Sequence, residues 1–387
     1  MMKRLVRKIL NEALGVPEGL LEVGEELYNI IENKLKRLPS ELPEEKNFHI
    51  NQKFKILDFF IKKVILTIEY TETDQVEEVD FYSMAFKNAS RFNNEKFHLI
   101  NVIDNDTIEV IINFAGPEGT TKKDLLNYYI KDRRRLISSI SHELGHAFNF
   151  YKKKISPIKS TASYAGLSRL SFPIKAIQKF LHYLYYTHSI ENIVRPIEVA
   201  SMMKTGEIDR EGFYDFITND RVYKMMKEIN SYSYQQLRNE LEEDVSRITH
   251  FLKQIGVKRT FKTSDEVIDE LLRIVYINLM NHTIGTAKEM ITQNPLEEIL
   301  GFIGDKEKFF NRLVNSFTKY EESPEKFFQK EEKNMKMVSE KMMKKLIKLY
   351  DLAKINPKSI ENWELHHKIN RTGEQFETEL KFKRNLK

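Results

Sequence analysis

The residues best suited to chemistry in this 387-residue chain are Ser141-His142-Glu143-Leu144-Gly145-His146. The pattern is H-E-x-x-H. A helix sends residues four apart out of one face, one turn apart, so His142 and His146 share a side. Two neutral ring nitrogens in that arrangement can reach one Zn2+ at about 2.0–2.1 Å. Glu143 stands beside them, where its carboxylate can take a proton from a metal-bound water as general base and pass it to a leaving group. The chain has no cysteine. That excludes a disulfide scaffold, a Cys zinc finger, an iron–sulfur cluster and a thiolate nucleophile. Any metal must be held by His, Asp or Glu.

A catalytic zinc needs a third protein ligand and an open position. The sequence predicts a second helix from about Pro173 to Lys204. Along it His188, Glu191, Arg195, Glu198 and Met202 recur at intervals of three and four and therefore share a face. Polar groups on one face of a segment otherwise rich in Ile, Val, Leu and Tyr point to a site at a helical interface. Glu191 is the chosen third ligand. Arg195, one turn on, can orient its carboxylate or bind substrate charge. Glu198 is the alternative ligand or an outer support. The plainer reading of this face is a surface ion pair between Glu191 and Arg195. Pro196 is expected to kink the helix.

These helices must be positioned by the rest of the chain. Gly and Pro number only 14 and 10, which favours long helices over a sandwich of short strands. Residues 1–40 read as helical and 41–53 as a polar connector. Val64–Tyr70 and Ile108–Phe114 are β-branched and aromatic, short enough for strands. Val79–Phe86 and Phe97–Val102 are further strand candidates. Gly116-Pro117-Glu118-Gly119 closes the sheet region as a turn. The motif lies in an amphipathic helix, Lys131–Lys152, whose apolar side is Leu136, Ile137, Ile140, Leu144, Ala147 and Phe148. Helical spacing continues from Thr120 onward, with a helix start at Thr263–Glu266 and another at Ser323-Pro324. Gln375–Lys387 alternates as either a strand or a tail. The expected class is α+β: a small mixed sheet packed on the H-E-x-x-H helix, with a large α-helical C-terminal half. The expected divisions are an N-terminal helical segment at 1–45, the metal-site domain at 46–206 and a helical region at 207–387.

Net charge is +5, from 62 Lys and Arg against 57 Asp and Glu. That is a mixed surface with no strong nucleic-acid signal. No stretch reaches the ~20 apolar residues needed to span a membrane, and the N-terminus lacks the pattern of a secretory signal. Leu5, Ile9, Leu10 and Leu14 form one side of a short amphipathic helix. Lys330–Lys348 is a basic amphipathic stretch whose Met, Val, Leu and Ile residues suit core or partner packing. His366-His367 reads as an exposed pair.

The combination of His142-Glu143-Leu144-Gly145-His146 with a helical Glu191 downstream resembles the gluzincin branch of the zincin metallopeptidases, the thermolysin-like arrangement. The finer pattern Tyr185-Tyr186-x4-Glu191-x3-Arg195 is similar to H-E-x-x-H proteins of tailed bacteriophages, as is the opening Met2-Lys3-Arg4-x-x-Arg7-Lys8-Ile9-Leu10-x-Glu12. The resemblance covers roughly residues 60–205. Asn149 and Lys152 stand where the metzincin continuation needs Gly and His, which excludes that branch. The N-E-x-x-S-D pattern of thermolysin-like enzymes is absent around Glu191. The resemblance implies a zincin-like sheet, a bound zinc ion, and hydrolysis of a peptide or protein substrate with Glu143 as base. It also implies a sheet edge that binds extended peptide, for which Ile108–Phe114 is the expected strand. Tyr164, Tyr185, Tyr186, His188 and Arg195 are unranked oxyanion donors. A phage protein would act in the host cytoplasm or in the virion. The alternative is a virion or assembly protein that keeps the fold and binds other virion proteins through its helical half.

Overall fold

The computed structural model describes residues 16–73, 80–87, 107–152, 172–293 and 304–352. The first described helix, α1 (Leu20–Leu35), buries Leu20, Val23, Leu27 and Ile31 at helical spacing. It is followed by the strand β1 (Glu45–Ile50) and a hairpin of β2 (Phe54–Ile56) and β3 (Phe59–Ile61). Three longer strands come next: β4 (Lys63–Glu72), β5 (Asp80–Lys87) and β6 (Thr107–Gly116). The main sheet has the order β1-β4-β6-β5, with β4 and β6 parallel and both outer strands antiparallel to their neighbours. In-register pairs Val64–Ile108, Leu66–Val110 and Ile68–Ile112 supply one buried face. Each such side chain contributes about 1.5–3 kcal/mol by leaving water.

From Lys122 onward every described element is helical. A capping box of Thr121 and Asp124 starts α2 (Lys122–Lys131). Its Tyr129 stacks on Tyr28 of α1 at 4.6 Å and meets Phe114 of β6. The motif helix α3 (Arg133–Tyr151) follows directly. All six of its expected apolar residues are buried. The helices α4 (Lys175–Thr187) and α5 (Ser189–Thr205) come next. Thr263 Oγ1 accepts the Glu266 N–H at the start of a 30-residue helix, Ser264–Gln293. Pro324–Ile347 forms the last long helix. The class is thus α+β, with twelve α-helices and a small mixed sheet among the described residues. No described helix is long and apolar enough to cross a membrane.

Three expectations change. Residues 45–50 form β1, an outer strand that buries only Ile50 and so shows no apolar alternation in sequence. Ile108–Phe114 lies inside the sheet between β4 and β5, so among the described strands the outer ones are β1 and β5. The Pro173–Lys204 helix is two helices, broken at His188, whose backbone is extended at ψ 144°. No Gly or Pro marks that break. Phe97–Val102, the Leu5–Leu14 helix, Tyr164, His366-His367 and Gln375–Lys387 lie outside the described residues.

The described residues fall into two compact units. One takes those within Met1–Lys154, Ile193–Tyr223 and Met343–Lys387, and the other those within Ile155–Asn192 and Lys224–Met342. The first contains the sheet and α3. In the second, Lys179 of α4 pairs with Glu240 of the helix Tyr234–Glu242 at 2.8 Å and lies over the Tyr232 ring, tying two helices distant in sequence together.

Candidate metal centre

Helix α3 presents His142 and His146 one turn apart, and their Nε2 atoms converge to 3.2 Å. The rings stand nearly perpendicular, at 80°, with both residues buried. Glu143 Oε1 comes within 4.0 Å of His142 Nε2 and keeps a fifth of its side chain exposed. His142, Glu143 and His146 each offer a ligand atom within 4.8 Å of the others. Two nitrogen ligands at about 2.0–2.1 Å from one tetrahedral ion lie about 3.3–3.4 Å apart. The observed separation therefore fits a shared cation. Two ring lone pairs this close would otherwise repel unless a proton lay between them.

The opposite edge of His142 is held by α5. Glu198 Oε2 lies 3.3 Å from His142 Nδ1 and accepts from Arg195 Nη1 at 2.7 Å. Burial alone would raise the Glu198 carboxyl. The His142 ring and the Arg195 guanidinium outweigh it and hold the group at about 2. A carboxylate facing Nδ1 favours the proton there and leaves the Nε2 lone pair for a metal. Of the two roles open to Glu198 in the sequence, this geometry supports the outer one.

The packing of α3 on α5 explains this alignment. Gly145 is the close-approach residue: a Cβ there would meet Ile197 Cδ1 at 2.5 Å and Val194 Cγ1 at 3.1 Å. Glycine inside a helix costs roughly 1 kcal/mol against alanine, and the close contact accounts for its presence. Ser138 Oγ donates to the Glu198 carbonyl at 3.0 Å, and Ser141 Oγ to Ser201 Oγ at 3.2 Å. Asn149 Nδ2 donates to the Gly145 carbonyl at 2.7 Å. These supporting groups were not singled out by the sequence. Their signal is the run of small and polar residues on one side of an otherwise apolar helix.

Glu191 is buried in the first turn of α5 and belongs to the second unit. There His188 has its imidazole pushed below its usual value by burial, against the opposing charges of Glu191 and Glu331. Of the tyrosines named as oxyanion donors, Tyr186 is buried and Tyr185 half-buried.

No family model, curated protein or solved structure matches this chain.

Proposed function

We propose that the chain is a zinc-dependent metallopeptidase of the gluzincin type, with His142 and His146 as ligands and Glu143 as general base; Glu191 keeps the part of third ligand on its place in the sequence alone. The observation that carries this reading is the 3.2 Å convergence of the two Nε2 atoms beside the Glu143 carboxylate. A donor set of histidine nitrogens and carboxylate oxygens suits zinc in a catalytic site. When bound, the ion supplies a Lewis acid that lowers the pKa of water and polarises a carbonyl.

The protein's own groups do the rest. Glu143 takes the proton of the attacking water and returns it to the departing amine. Glu198, held by Arg195, keeps the His142 ring oriented and its Nδ1 protonated. Arg195 is thereby engaged at its Nη1, where it holds Glu198 in place. The outer strand β5 runs against α3 and is antiparallel to β6, so its backbone edge is the place for an extended peptide to add by main-chain hydrogen bonds. This gives β5 the role that the sequence had assigned to Ile108–Phe114.

The test uses metal analysis and a peptide-hydrolysis assay on the full chain. Wild type should carry zinc and cleave, His142→Ala should do neither, and Glu143→Gln should keep zinc and lose cleavage. Zinc loss in Glu143→Gln, or full cleavage by it, sinks the reading.

A further inference from the structure

The β2–β3 hairpin carries a feature that neither the metal centre nor the core uses. Its inner face buries Phe54, Ile56, Phe59 and Ile61. On the outer face Lys55 pairs directly with Phe60, and the Lys55 ammonium lies 5.5 Å over the Phe60 ring. The two-residue turn is Leu57-Asp58. Leu57 adopts φ 54°, the left-handed region where glycine or asparagine is the usual occupant of a tight hairpin. Its side chain is nonetheless 43% exposed, and Phe60 beside it is 47% exposed. A strained leucine that buries little is not accounted for by folding.

The turn is also held firmly. The Leu57 N–H donates to the Glu18 carbonyl at 2.9 Å. Gly19, at φ 87°, lets the Lys55 carbonyl come within 2.7 Å of where a Cβ would stand. Phe59 packs edge-on against Phe148 of α3, and Asp58 pairs with Lys152. The apolar tip is therefore mounted on the motif helix. Lys53 and Lys55 beside it are exposed, while the acid of the turn itself, Asp58, pairs with Lys152.

We infer that this hairpin docks the protein on an anionic lipid surface, with Leu57 and Phe60 entering between head groups and the lysines facing the charge. Two apolar side chains form a patch far smaller than the ~800 Å² per partner of a stable protein interface. They do suit shallow insertion, where apolar burial and cation attraction act together and no complementary surface is needed. This inference does not depend on the peptidase reading.

The experiment is vesicle co-sedimentation of the full chain, with phosphatidylcholine vesicles against phosphatidylcholine–phosphatidylglycerol vesicles. Wild type should bind the anionic vesicles only, and the bound fraction should fall as salt rises. Leu57→Gly with Phe60→Ser should reduce partitioning roughly tenfold, and Lys53→Gln with Lys55→Gln should do likewise. Leu57→Gly removes the left-handed strain, so that single variant should unfold at the same or a higher temperature while binding less. Absence of binding to anionic vesicles overturns the inference, as does binding that survives the Leu57/Phe60 change. A protein partner lost with that change, while vesicles stay unbound, also overturns it.

Discussion

Glu198 Oε2 stands 3.3 Å from His142 Nδ1, while the other nitrogen of that ring turns to within 3.2 Å of His146 Nε2. One carboxylate on α5 thus favours the tautomer and direction of the His142 ring on α3. Glu198→Gln keeps the shape and removes the charge. Zinc affinity should fall by roughly 10–100-fold, the usual cost of losing an outer partner of a metal-bound histidine. Chelator competition on the two proteins measures it, and equal affinities would mean that Glu198 only packs.

The same carboxylate predicts a pH dependence of stability. Its value drops from 4.5 in its ordinary state to about 2 when folded. A depressed folded value contributes stability that is complete above about 4.5 and is lost as pH falls toward about 2. Denaturant unfolding of metal-free wild type and Glu198→Gln should therefore show a gap near pH 6 that narrows by about pH 3. A gap that stays constant would show that the interaction with His142 and Arg195 is not what stabilises the charge.

The clustering of His142, Glu143 and His146 was readable because its spacing is local: four residues on a helix decide which side chains share a face. The strand Ile108–Phe114 was readable for the same reason, but its place between β4 and β5 was not. Strand order depends on pairing between distant segments, and β4 joins β6 across a separation of more than thirty residues. The outer strand β1 escaped because five of its six residues stay at least partly exposed. On α5 the sequence named Glu191, Arg195 and Glu198 as one face. Which carboxylate reaches His142 Nδ1 is settled by how closely α3 and α5 approach, and Gly145 sets that distance.

Two glycine substitutions should therefore move stability in opposite directions. Gly145→Ala drives a methyl into Ile197 and Val194 and should cost about 1–3 kcal/mol, outweighing the helix-propensity gain. By spreading α3 from α5 it should also weaken zinc binding. Gly285, inside the helix Ser264–Gln293, has nothing within 4 Å of its would-be Cβ. Gly285→Ala should stabilise by about 0.5–1 kcal/mol and leave zinc affinity unchanged. Urea unfolding of the two variants beside wild type checks both signs, and a stabilised Gly145→Ala would refute the tight crossing.

Zinc should act as a stabilising ligand of the folded unit. An ion that binds only the native state adds RT ln(1 + [L]/Kd), about 2.7 kcal/mol at one hundred times Kd. Wild type should therefore melt at a higher temperature with zinc than with a chelator. His146→Ala removes one of the two converging nitrogens and should abolish that shift. Glu143→Gln leaves both nitrogens in place and should retain most of it. Thermal melts with and without zinc distinguish the cases with no substrate required. A shift of full size in His146→Ala would mean that the ion is held elsewhere on the chain, and Glu143 would then lose its claim to act on water beside it.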